Sequence, residues 1–173
     1  VPIFVQETWW GYFGFDDCRR ARAWTPQEEG ALRSAAQILA EAVQRKTAEE
    51  QTVLLRTALA SAANGIVITD RAGAIVFVNE AVERLTGYTG QEILGRKPSV
   101  LRSGSHDDQF YGDLWRTVLA GQVWRGEITN RRKDGTQYLE DMTITPVRDA
   151  AGQVTHFIAI KQDITEQRNL QQQ

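Results

Sequence analysis

The stretch from Pro26 to Ser61 constrains this chain most, because after Gly30 it runs on to Ser61 without a single proline or glycine. It opens with Thr25, Pro26, Gln27 and Glu28: a capping threonine, proline at the first helical position and glutamate three residues after the cap. Apolar residues then recur three and four apart at Leu32, Ala35, Ala36, Leu39, Ala42 and Val43. They resume at Val53, Leu54, Leu55 and Leu59 after the polar run from Lys46 to Gln51. The pattern predicts one connecting helix over 26–61, about 54 Å long at the usual rise per residue; two helices broken near Thr47 are the alternative. A helix so long, with so narrow a stripe, needs a partner, and a parallel pair of two copies of the chain is the expected one.

On either side of this rod the texture differs. Residues 1–15 are dense in aromatics and read as two strands, Val1 to Gln6 and Trp9 to Phe15, too few residues to bury their own side chains. From Asn64 onward, short β-rich runs at Gly65 to Thr69 and Ala74 to Val78 flank the turn Asp70-Arg71-Ala72-Gly73. Helices are expected at Glu80 to Leu85, Gln91 to Leu94 and Asp107 to Leu119, then strands at Val123 to Arg132, Gln137 to Val147 and Val154 to Ile164. Two strands, several helices and three antiparallel strands make an α+β domain, a five-stranded sheet with short helices on one face. It would occupy 62–165, with 166–173 beginning an exiting helix.

Composition narrows the function. Hydrophobic content of 42% and charged content of 24% suit a chain that folds around a core. A net charge of −2, with basic residues scattered except for Arg131, Arg132 and Lys133, argues against a nucleic-acid partner. No apolar run approaches the roughly 18 residues of a membrane span, and Cys18 is the only cysteine. A cytoplasmic protein without direct membrane contact is expected. Phosphate-binding glycine loops, paired metal-binding histidines and an activating base for Cys18 are all missing from the sequence, so the chain is expected to carry no catalytic module.

The order of elements, with Asn79-Glu80-Ala81-Val82-Glu83-Arg84-Leu85-Thr86-Gly87-Tyr88, Asn130-Arg131-Arg132-Lys133-Asp134-Gly135 and Asp163-Ile164-Thr165, resembles the PAS sensor family over about Thr57 to Gln167. Within that family it is most similar to the flavin-type branch, which includes light-sensing LOV domains and the redox-sensing flavin domains of nitrogen-fixation and methane-oxidation regulators. Trp9 to Asp17 with Trp24-Thr25 resembles the last strands and final helix of a GAF domain, which would make 1–25 part of a second sensor. The resemblance implies a sensory relay in a histidine kinase or cyclic-dinucleotide enzyme, with the effector domain in the same polypeptide. Asp163 and Thr165 would transmit the signal to the exiting helix. As a plain cap, Asn79 is explained by its place before a helix, and Asp163 with Glu166 has the spacing of a capping box.

Alternation along the strands puts Trp124, Gly126, Ile128 and Asn130 on one face, and Tyr138, Glu140, Met142 and Ile144 on the matching face of the next strand. A three-residue loop with Gly135 left-handed is expected to set Asn130 opposite Glu140. A four-residue loop over 149–152 would pair Arg148 with Gln153 and so set Glu140 opposite Lys161, with Phe157 and Ala159 sharing the inward face. Two readings of Asn130, Glu140 and Lys161 stay open: an ion pair in a pocket filled by side chains or water, or the edge of a planar cofactor. In the second reading the rings lie on Trp124, Ile144 and Leu101, with Ala159 leaving room.

The resemblance implies FAD or FMN as that cofactor. Of the two asparagines and one glutamine that hold the flavin edge in LOV domains, this chain keeps Asn130 and has Glu140 and Lys161 at the other positions. Lys97 and Pro98 stand where those domains carry Asn-Cys, so no flavin-thiol adduct can form. Haem is disfavoured, because His106 beside Asp107 and Asp108 reads as an exposed residue at a helix start, and His156 as exposed on the outer face. A cofactor-free dimerisation spacer, packed through Ile158 and Ile160, is the rival reading.

Overall fold

The computed structural model describes residues 1–19 and 21–171; Arg20 and the end of the expected exiting helix, Gln172 and Gln173, lie outside the described residues. The chain divides into two compact units, Val1–Thr57 and the remainder from Ala58.

The first unit opens with a hairpin of β1 (Pro2–Val5) and β2 (Thr8–Tyr12), turned by Gln6 and Glu7, both at positive φ. These strands are shorter than expected, and β2 stops at Tyr12 rather than Phe15. Ile3 is buried, whereas Trp9, Trp10, Tyr12 and Phe15 are exposed. The helix α1 spans Pro26–Ser61 without a break. Its capping box forms as the sequence predicts: Glu28 Oε2 accepts from Thr25 N at 2.8 Å, and Glu28 N donates to Thr25 Oγ1 at 3.3 Å. The Thr25 backbone and then Arg22 hold the exposed Glu28 carboxyl down at about 2.

The second unit holds β3 (Gly65–Asp70), β4 (Ile75–Val78), α2 (Glu80–Thr86), α3 (Gly90–Ile93), a 3-10 turn at Pro98–Leu101, α4 (Asp108–Leu119), β5 (Trp124–Arg131), β6 (Gln137–Arg148), β7 (Val154–Asp163) and α5 (Thr165–Gln171). Its five strands form one antiparallel sheet in the order β4-β3-β7-β6-β5. Period-two burial decides the faces. Along β6, Tyr138, Glu140, Met142 and Ile144 are buried between exposed Gln137, Asp141 and Thr145.

Both expected registers are corrected, each by two residues. The loop before β6 does have three residues and a left-handed Gly135 (φ 92°), but it is centred on Asp134, with Arg132 N donating to Thr136 O. Asn130 therefore faces Tyr138, and Ile128 faces Glu140. In the last hairpin Asp149 Oδ1 accepts from both Ala151 N and Gln153 N, and a bulge at the Val147/Arg148 step leaves Arg148 opposite Val154. Glu140 then faces Asp163, and Lys161 faces Met142. An even shift leaves every side chain on its expected face, whereas a shift of one would have reversed them all.

The core of this unit is two clusters. One gathers Leu114, Val118, Ile128, Met142, Ile144 and Phe157; the other gathers Val67, Ile75, Val82 and Ile93. Ala159 packs against both. A methyl group at that seam is too small to fill the space between them.

Candidate functional site

A cavity of about 530 Å³ lies along this seam, between the inner face of the sheet and the segment from Ile93 to Leu119. That volume falls within the range of small-molecule sites. Leu101, Ile144 and Ala159 line it as expected, joined by Phe157, Met142, Val67 and Leu114. Trp124 does not line it. Its indole folds back along its own strand over Gly126, where a Cβ would come within 2.8 Å of the ring, and meets Phe110 edge-on at 5.9 Å. The missing side chain of Gly126 draws the indole away from the cavity.

At one end of the cavity the wall is polar. Asn130 and Lys161 line it, while Glu140, completely buried, is outside the lining. Lys161 Nζ donates to Glu140 Oε1 at 2.5 Å, and Asn130 Nδ2 donates to the same oxygen at 2.9 Å. The lining thus includes the cationic member of the pair and not the anionic one. Glu140 Oε2 and the Tyr138 hydroxyl are buried without a well-formed hydrogen bond. Burial first, and then the Glu140 charge, push the Tyr138 hydroxyl far above its ordinary range, which keeps it a protonated donor beside the carboxylate.

The opposite wall carries a third orphan. Tyr111 is nine-tenths buried and lines the cavity, and its hydroxyl has no hydrogen-bond partner. Burial raises its pKa against the opposing pull of Arg102, whose guanidinium lies 3.7 Å from the ring centre. Arg71, Lys97, Ser99 and Arg102 add polar groups to the lining, which contains no aspartate or glutamate. Thr69, Arg71, Arg102 and Tyr111 are lining residues that the sequence pattern does not assign to the site. The alternation Val67-Thr69 on β3 and the α4 face holding Tyr111 and Leu114 were the available signals, but the depth of a helix against a sheet is not a periodic property.

His106 is half-buried rather than exposed. It stacks on Phe110 at 4.3 Å, its Nε2 accepts from Thr129 N at 3.0 Å, and it stands outside the cavity lining. His156 is exposed, as expected.

Both ends of the unit are tied by side chains. Asn79 is more than a cap. Its Oδ1 accepts from Val82 N and Ile66 N, while its Nδ2 donates to Leu59 O at 3.1 Å and Asn64 O at 3.0 Å, joining the end of α1, the start of β3 and the start of α2. At the exit, Asp163 does not form the expected box with Glu166. Its Oδ1 accepts from Thr165 N at 2.9 Å and Thr165 Oγ1 at 2.6 Å, and its Oδ2 pairs with Arg132 at 2.7 Å. Thr165 Oγ1 in turn accepts from Leu139 N at 2.9 Å. Arg132 also lies 4.4 Å over the Tyr138 ring and donates to Leu85 O. Contacts therefore run from the cavity's polar end through Tyr138 and Arg132 to the first residue of α5.

Residues 54–164 match the PAS fold family, and the chain belongs to it. It is 34% identical over 132 residues to a nitrogen fixation regulatory protein of Klebsiella oxytoca, an alignment covering 76% of this chain and 27% of that protein. Among solved structures it is similar to an RNA-binding light-oxygen-voltage receptor (TM-score 0.64, 32% identity, 68% of this chain and 34% of that one). It is also similar to a light-oxygen-voltage domain studied with a flavin analogue (TM-score 0.59, 26% identity, 65% of this chain and 85% of that one). Among the described residues no helix is long and apolar enough to cross a membrane.

Proposed function

We propose that this chain is a sensory and relay module whose cavity holds a flavin nucleotide and whose flanking helices pass on its state. The observation that carries the reading is the cavity itself: apolar walls, Asn130 and Lys161 at one end, and an unpartnered Tyr111 hydroxyl in the wall. Apolar faces and a few fixed donors suit a planar ring with an acceptor-rich edge. Asn130 and Lys161 would serve that edge, and Arg71 and Lys97 supply positive charge for an anionic tail. The likeness to a light-oxygen-voltage domain studied with a flavin analogue agrees with this. When bound, the flavin would supply the redox or light response.

Cys18, the chain's only cysteine, lies outside the unit that contains the cavity, and Lys97 and Pro98 border the cavity. A light response through a cysteinyl adduct is therefore not part of the proposal. The contacts through Arg132, Asp163 and Thr165 would carry a change at Glu140 to α5, and Asn79 would couple the same unit to α1. The chain spans about a quarter of the length of the regulator it matches. We place the catalytic output, a histidine kinase or cyclic-dinucleotide enzyme, in another domain of a longer cytoplasmic polypeptide, and read the aromatic hairpin β1–β2 as the end of a GAF-like sensor.

Replacing Asn130 with alanine tests the site, because it removes a donor at the ring edge at a cost of about 1 to 3 kcal/mol in binding. Lower flavin retention at unchanged circular dichroism supports the assignment. Equal retention removes Asn130 from it.

A further inference from the structure

We infer that Lys161 makes this cavity hold a flavin ring more tightly in its reduced, negatively charged form than in its oxidised, neutral form. The inference rests on the flavin reading above and concerns what the site discriminates. The lining holds Arg71, Lys97, Arg102 and Lys161 and no carboxylate. Arg71 and Lys97 are exposed, where solvent screens them, and Arg102 is turned toward Asp108 at 3.6 Å and the Tyr111 ring. Lys161 is the lining cation withdrawn from solvent, at 4% exposure. Its counter-charge, Glu140, is not among the lining residues, so the wall itself carries the cationic member of the pair, held at 2.5 Å by the carboxylate.

Two electrons from an external reductant such as dithionite, with one proton taken up at a ring nitrogen, convert the neutral oxidised ring to an anion. No bond to the protein forms or breaks. A fixed ammonium in a desolvated wall attracts that added charge far more strongly than it would in water. By linkage, the state bound more tightly is the state whose population the protein raises. The site then responds to electron supply.

The test titrates the full chain with FMN, oxidised in air and reduced anaerobically with dithionite, and compares the two dissociation constants in each variant. The unmodified chain is expected to favour the reduced form relative to Glu140→Gln/Lys161→Gln by tenfold or more, equivalent to about 30 mV for two electrons. The double variant keeps a neutral, hydrogen-bonding cluster and so guards against loss of the fold. Glu140→Gln alone leaves Lys161 uncompensated and should move the preference further toward the reduced form, an opposite sign that a merely structural role would not produce. Lys161→Arg, which keeps the charge, should retain the preference. An unchanged ratio in the double variant, with oxidised FMN still bound, overturns the role of Lys161. Failure of the unmodified chain to bind either form overturns the flavin reading itself.

Discussion

Lys161 reaches diagonally across the sheet to Glu140: its ammonium lies 2.5 Å from Glu140 Oε1, although the residue facing it in the ladder is Met142. Both are buried, so the pair is a desolvated one. Removing one member leaves a buried charge uncompensated, which costs about 3 to 5 kcal/mol, whereas neutralising both together is often close to neutral. Glu140→Gln and Lys161→Met should each lower stability by about that amount in urea denaturation, and Glu140→Gln/Lys161→Met should recover most of it. A double variant as unstable as the sum of the two singles would contradict the pairing.

Asn79 is the corresponding fixed point at the other end of the unit. It makes four hydrogen bonds to backbone groups of three elements, so Asn79→Ala should cost about 2 to 3 kcal/mol. Asn79→Asp keeps the acceptor for Ile66 N but loses both donors. Hydrogen exchange should therefore find the Ile66 amide protected in Asn79→Asp and faster in Asn79→Ala. Equal protection in the two would mean that the acceptor oxygen does not hold β3.

Much of this fold was legible because its signals are local. Pro26 and the Thr25–Glu28 box marked the start of α1, and the alternation around Asn130, Glu140 and Lys161 placed all three on the inner face. Their partners across the ladder were not legible. The placing of the three-residue loop around Asp134 and the bulge beside Arg148 depend on backbone turns that several loop lengths would satisfy. Trp124 was misplaced because the vacancy at Gly126 is filled by a neighbour on the same strand, a contact no alternation rule contains. The bonds from Asn79 to Leu59 and from Arg132 to Asp163 join residues 20 and 31 positions apart, and only the folded sheet brings them together.

The exit joint should be acid-sensitive. Burial alone would raise the Asp163 carboxyl, but the Thr165 hydroxyl and N–H, with Arg132, outweigh it and lower the pKa below its ordinary value of 3.8. A carboxyl depressed in the folded state contributes stability that is present above its unfolded pKa and is lost as pH falls through the folded one. Stability should decline as pH falls below about 4, and Asp163→Asn should remove part of that decline. Tyr138 gives the opposite limb. Its raised pKa contributes stability present below about pH 10 and lost as pH rises beyond it, so Tyr138→Phe should flatten the alkaline decline. Urea midpoints across the pH range that do not change with either substitution would contradict both assignments.

The connecting helix should hold two copies together. Leu39 and Val53 on α1 are 40% and 64% exposed, and burying such side chains contributes about 1.5 to 3 kcal/mol each. Leu39→Glu/Val53→Lys should give a monomer that keeps the circular dichroism of the unmodified chain. Light scattering that finds the unmodified chain monomeric at high concentration would contradict the parallel pair.

That the cavity is a flavin site can be read from a single absorption spectrum of the full chain, taken after incubation with FMN and with FAD and removal of free ligand by gel filtration. Flavin should elute with the protein, its visible band should show the fine structure of a ring held in an apolar site, and blue light should produce no cysteinyl adduct. A protein that elutes colourless after both incubations, with its fold intact, would overturn the assignment.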